Sequence, residues 1–176
     1  MNLVSSSASI SSRRREASVI KFRAAMDYAY KQLSASDLPL MKGLLALFGE
    51  AFGEPQTYQG AVPTDAYLQT LLGKPHFIAL AATSGDDVVG GLAAYELEKF
   101  EQARSEVYIY DLAVKENHRR KGVATGLIRA LGRIARQRGA YVMFVQADRG
   151  DDPAIRLYES LGTREDVHHF DIPTEK

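Results

Sequence analysis

Two segments hold the residue types and spacings best suited to chemistry. In "DLAVKENHRRKGVATGLI", residues 111–128, an apolar strand runs through a polar loop into a helix. Arg119, Arg120 and Lys121 stand directly before Gly122, Val123, Ala124 and Thr125, where that helix should begin. A helix N-terminus offers free backbone N–H groups and the positive end of the helix dipole. Glycine at 122 and the small Ala124 let a pyrophosphate come close to that backbone. The three cationic side chains add charge where a multiply phosphorylated ligand would lie. Taken alone, the loop reads equally as a solvated basic turn. It has no GK[ST], so it is not a Walker loop, and its glycines do not follow the GxGxxG of a Rossmann turn.

The second group is acidic. Asp111 sits inside the otherwise apolar "EVYIYDLAV", flanked by Tyr108 and Tyr110. A carboxylate buried there without a partner is costly, so a working role is indicated. Asp148, Asp151 and Asp152 follow the next strand and precede "PAIRLYESLG", which carries Tyr158. For Asp151 and Asp152, capping that helix is as good an account as ligand contact, and the two roles are compatible.

The bulk composition removes other classes of chemistry. The 176 residues suit one domain with a sizeable core, and the formal net charge is zero. A broadly basic nucleic-acid surface is therefore not expected. The absence of cysteine excludes disulfides, thiolate metal sites and a cysteinyl acyl-enzyme. The four histidines form no HxxxH or HExxH pattern, so no metal site is expected. No apolar run reaches the length of a membrane span. Residues 1–26 are Ser/Arg-rich and lack the apolar stretch of a secretory signal; we expect a flexible extension on a cytoplasmic protein.

The elements that must position these groups follow from periodicity and punctuation. Tyr28 to Leu33 reads as a first strand. A helix follows, with Ser36 as its cap, Pro39 in its first turn and Met41, Leu44, Leu45, Phe48 and Phe52 on one face, stopped by Gly53 and Pro55. Thr64 caps a second helix that ends before Gly73. His76–Ala82 and Val88–Glu98 form a hairpin across "SGDD", and Gly90-Gly91 marks a bulge or a close backbone approach. Then come the strand Glu106–Val114, a helix from Val123 to Arg138 ended by Gly139, and the strand "AYVMFVQAD". A helix follows from Asp151 or Asp152 up to Gly162, and Val167–Ile172 makes a final strand. The order predicts an α/β fold, one mixed central sheet with helices on both sides.

The R-x-x-G-x-A spacing after a strand resembles the acetyl-CoA pyrophosphate loop of the GNAT superfamily. "AIRLYESLG", Ala154 to Gly162, resembles its second motif. Larger blocks resemble one narrower family, the class I aminoglycoside 3-N-acetyltransferases: "FIALAA", "KFEQARSEVYIYDLAV", "GAYVMFVQADRGDDPA" and "HFDI". This likeness spans roughly Tyr28 to Ile172 and implies a single-domain GNAT fold over about 27–173. It implies transfer of acetyl from acetyl-CoA to the 3-amino group of a 2-deoxystreptamine aminoglycoside such as gentamicin. Antibiotic resistance and a homodimer are implied with it.

The same resemblance implies the roles. The acceptor is a polycation, met by Glu106, Tyr110, Asp111, Asp148, Asp151 and Asp152. Asp111 takes a proton from the attacking ammonium, directly or through a water. The backbone N–H of Leu112 stabilises the oxyanion, and Leu112, Ala113 and Val114 pair with the pantetheine arm. Tyr158 assists the departing thiolate. Two alternatives stand beside this reading: a GNAT enzyme for another small amine, and a non-catalytic acetyl-CoA-binding module.

Overall fold

The computed structural model describes residues 28–174; the Ser/Arg-rich stretch 1–26 lies outside them. Five strands form one sheet in the order β1-β2-β3-β4-β5. They are β1 (Ala29–Gln32), β2 (Phe77–Ser84), β3 (Asp87–Glu98), β4 (Ser105–Val114) and β5 (Ala140–Val145). The first four are antiparallel neighbours, and β5 joins β4 in parallel. Such a parallel step needs a crossover, and helix α4 (Val123–Arg138) supplies it.

Helices cover both faces, as expected. β2 is buried on each side because its alternate residues serve two cores. Ile78, Leu80 and Ala82 join Val123, Leu127 and Leu131 of α4, and Leu157 and Tyr158 of α5 (Asp152–Glu159) pack against that cluster. Phe77, Ala79 and Ala81 join Met41, Leu44 and Phe48 of α1 (Leu38–Ala51) and Leu68 and Leu72 of α3 (Asp65–Leu72). The Gly90-Gly91 pair serves close approach. A Cβ on Gly90 would stand 2.7 Å from Val123 Cγ1, and one on Gly91 2.3 Å from Leu44 Cδ2. A bulge sits beside them, with Val89 as the extra residue against β2.

Three expectations need correction. Asp37, not Ser36, occupies the N-cap position of α1. Its carboxylate accepts from the Ser34 N–H, the Ser34 hydroxyl and Lys31 Nζ, and these contacts hold its pKa down at about 2. Pro55 does not simply end α1; it opens a short helix, α2 (Pro55–Gln59), because proline is well suited to a first helical turn. The segment Val167–Ile172 forms no strand. It has no ladder partner among the described residues; His169 bonds Asp171 and Gln146 instead, and the adjacent Asp166 bonds Arg164.

Candidate active site

The geometry of the site begins with a fault in β4. Ala94 pairs with Ile109 and Ala93 with Asp111, so Tyr110 is an extra residue in the ladder. A one-residue bulge inverts the face assignment of everything beyond it. Before it, Val107 and Ile109 point into the α4-side core; after it, Leu112 and Val114 do, while Ala113 faces α1. Asp111 is thereby turned away from the α4 core. It lies on the α1 side, where the hydroxyl of Tyr58 on α2 donates to its Oδ1 at 3.1 Å.

The bulge also coincides with the end of pairing to β5. The last β4–β5 partners are Ile109 and Val145, whereas β4 runs on to Val114 against β3 alone. The two parallel strands part, and the opening is a cleft of about 1080 Å³. Leu112, Ala113 and Val114 form one wall of it, and Val145, Gln146 and Ala147 the other. Loop and helix close its base: Arg119, Arg120, Gly122, Val123, Ala124 and Thr125 all line it.

That base has features suited to an anion. Gly122 is the N-cap of α4 at φ +84°, and no side chain caps the helix, so its first-turn N–H groups are not taken by a capping side chain. Arg120 is the one described non-glycine residue with positive φ, at 60°. Strain of this kind persists where surrounding structure enforces it. Arg119 Nε donates to Val114 O at 3.1 Å, tying the basic loop to the end of β4. His118 joins the lining and is held by Tyr28, whose hydroxyl lies 3.2 Å from His118 Nδ1.

The far wall is acidic and aromatic. Asp111, Glu54, Asp148 and Asp151 line the cleft with Tyr58, Tyr108, Tyr110 and Tyr158. Burial raises the Asp111 carboxyl above its ordinary range; the Tyr58 hydrogen bond opposes the shift and the charge of Glu54 adds to it. Burial also raises Tyr158, with a smaller push from Asp151, so its hydroxyl keeps its proton. Asp151 caps α5, accepting from Ala154 N, while it lines the cleft; the two roles coexist.

Three expected residues stand off this cleft. Glu106 is occupied by Lys99 at 3.0 Å and by the Tyr141 hydroxyl, which together hold its pKa low. It precedes the bulge, at the β5-paired end of β4. Asp152 points along α5 toward Arg156, 3.7 Å away, and Lys121 Nζ donates to Asn117 O. Conversely, Glu54, Tyr58, His118 and Gln146 belong to the lining without having been singled out from the sequence. For Glu54 and Tyr58 the available signal was Pro55, a helix opener followed by "QTYQ". Among the described residues no group of three or more His, Asp or Glu side chains is placed to hold a metal ion.

A sheet whose parallel strands part beside a helix N-terminus is the arrangement of a known class. The chain belongs to the acetyltransferase (GNAT) family, which it matches over residues 42–163, and it is accordingly an acetyltransferase of a family whose acetyl donor is acetyl-CoA. Among solved structures it is similar to an aminoglycoside acetyltransferase from an uncultured soil metagenomic sample, at 56% identity and TM-score 0.84, over 85% of this chain and 100% of that one. A second soil-metagenome aminoglycoside acetyltransferase, solved with sisomicin, is 33% identical over 84% of this chain and 97% of its own, with TM-score 0.77. The L-methionine sulfoximine/L-methionine sulfone acetyltransferase of Pseudomonas aeruginosa is 27% identical over 78% of this chain and 80% of that protein.

Proposed function

We propose that this protein transfers acetyl from acetyl-CoA to the 3-amino group of a 2-deoxystreptamine aminoglycoside such as gentamicin, by direct attack and without an acyl-enzyme. The observation that carries the reading is the β4 bulge, which sets Asp111 on the wall of the cleft beside the free edge of Leu112–Val114. The 56% identity to an aminoglycoside acetyltransferase supports the substrate class.

The residues present fit the donor. A strand edge without a β5 partner suits the amide groups of a pantetheine arm, and an uncapped helix start with Arg119 and Arg120 suits a pyrophosphate. When bound, acetyl-CoA supplies an activated thioester carbonyl. Leu112, Ala113 and Val114 hold the arm, and the turn from Arg119 through Lys121 and Gly122 to Val123, Ala124 and Thr125 holds the phosphates; Lys121 acts there through charge rather than contact.

On the other side, Asp111, Asp148 and Asp151 meet the ammonium groups of the acceptor, and Tyr110 gives it an aromatic surface. Asp111 takes one proton from the reacting ammonium, leaving a neutral amine to attack. The N–H of Leu112 is assigned to the developing oxyanion, and the Tyr158 hydroxyl, kept protonated by burial, protonates the departing sulfur. Glu106 and Asp152 drop out of the acceptor set because their carboxylates are engaged elsewhere.

We also take residues 27–173 as the catalytic unit, resistance as the biological outcome and a cytoplasmic homodimer as the working form. The exposed Val142, Phe170 and Ile172 favour a partner surface, which light scattering tests. The substrate test mixes purified protein with acetyl-CoA and gentamicin, follows thiol release and locates the acetyl group by NMR. Gentamicin-dependent release with acetyl at the 3-amino nitrogen is expected. The similarity to the methionine sulfoximine enzyme keeps a small amino acid as the second acceptor to try. Release with that substrate alone would displace the aminoglycoside reading.

A further inference from the structure

We propose that Tyr58 is the positioning residue for Asp111, fixing one carboxylate oxygen so that the other is presented to the acceptor ammonium; this rests on the acetyl-transfer reading above. The hydroxyl of Tyr58 donates to Asp111 Oδ1 at 3.1 Å and is the one side chain bonded to that carboxylate among the described residues. With Oδ1 engaged, Oδ2 is left to accept from an incoming N–H. The phenol cannot itself serve as the base. Burial and the neighbouring Asp111 charge both push its ionisation far above the working range, so it remains a donor throughout.

The arrangement is rigid where it needs to be. The Tyr58 ring packs on Phe48 at 5.9 Å and on Phe52 at 5.8 Å, so its position is set by the core under α1. Among the described residues, the groups around Asp111 come from several elements. Tyr58 comes from α2 and Glu54 from its N-cap, Tyr95 from β3, and Tyr108 and Tyr110 from β4 itself; Ala51 at the end of α1 and Phe52 just beyond it line the same cleft. Of these, Tyr58 alone is bonded to the ionised form, while burial and Glu54 oppose ionisation. Removing its hydroxyl therefore leaves the carboxylate with nothing to offset the loss of water.

The test uses the full chain and Tyr58→Phe, which keeps the packed ring. The Asp111 carboxyl is followed by 13C NMR in protein without substrate, with Asp111→Asn identifying the signal. In Tyr58→Phe the Asp111 midpoint should move to higher pH, and the acid limb of kcat/KM for gentamicin should move with it. On the acid side of the wild-type midpoint kcat/KM should fall about tenfold, the factor expected for losing one hydrogen bond to a charged group, with a smaller loss at higher pH. Acetyl-CoA Kd should stay within error, and any fall in Tm should be confined to pH values above the Asp111 midpoint, where the carboxylate is ionised. An unchanged Asp111 midpoint overturns the inference, as does a loss that is uniform in pH and accompanied by a lower Tm. The NMR midpoint decides the matter even where wild-type protein acetylates no aminoglycoside, an outcome that would reject the proposed substrate and not the role of Tyr58.

Discussion

The two halves of the cleft are built on different principles. On the proposed reading the donor half comes from one continuous stretch, Leu112 to Thr125, and offers mainly backbone: a strand edge without a β5 partner, an uncapped helix start and a glycine at φ +84°. The acceptor half is assembled from side chains on three separate stretches, Glu54 and Tyr58, Tyr108 to Asp111, and Asp148 to Asp151. A backbone site recognises what every acetyl-CoA molecule shares. A side-chain site can be altered residue by residue without disturbing the ladder, so the proposed reading puts specificity for one amine there. The contrast teaches that damage to the two halves should be separable in kinetics.

The strongest way to break that contrast is Asp111→Asn. It should lower kcat/KM for the acceptor by about 10³, the range seen on losing a general base, while acetyl-CoA Kd from calorimetry changes less than twofold. Loss of both together would mean that the halves are not independent. Tyr158→Phe should come next, lowering kcat by about 10² through loss of the proton donor, with acetyl-CoA binding retained. Full activity in thiol release would remove Tyr158 from the mechanism.

Gly122→Ala probes the donor half alone. The added Cβ meets nothing within 4 Å, so the cost is conformational. Left-handed backbone is unfavourable for alanine by about 1–2 kcal/mol, which predicts KM for acetyl-CoA raised roughly tenfold and KM for gentamicin unchanged. The smallest effect is on stability. The folded-state pKa of Asp111 is raised, so folded protein binds more protons than unfolded protein between the two values. Stability contributed at this site is accordingly lost as pH rises through that window. Asp111→Asn should therefore melt above wild type at pH 7, with the gain fading in calorimetry below about pH 4, where the unfolded carboxyl is protonated too. The same carboxylate must be ionised to act, so wild-type activity should fall on the acid side at a pH above the ordinary carboxylate range.

Much of this was legible in sequence where the signal is local. The turn at residues 119–125, the cap at Thr64, the stop at Gly139 and the hairpin across residues 84–87 all stand where their residues predict. Close approach at Gly90 and Gly91 was also legible, though not which neighbours come close. Some failures were local, as at Ser36, where the neighbouring Asp37 takes the N-cap; others were decided by a partner distant in the chain. Val167–Ile172 reads as a strand but has no ladder to join among the described residues. Glu106 lies in the same strand as Asp111, yet Lys99 and Tyr141 engage it at the other end of that strand. Tyr58 stands 53 residues from the aspartate it bonds, behind a proline that reads as a stop.

The sequence by itself therefore determined the order of elements from β1 to α5 apart from α2, the basic turn that opens α4 and the choice of Asp111 as the residue to explain. These depend on periodicity, caps and backbone geometry, which act over a few residues. Only the tertiary structure decided which way Asp111 points, because a single extra residue at Tyr110 reverses the faces of β4 and appears only in the pairing with β3. It decided as well that α2 meets Asp111 and that Glu106 does not share its cleft. Those are questions of register and of contacts between distant segments, and a strand's own residues do not specify its neighbours.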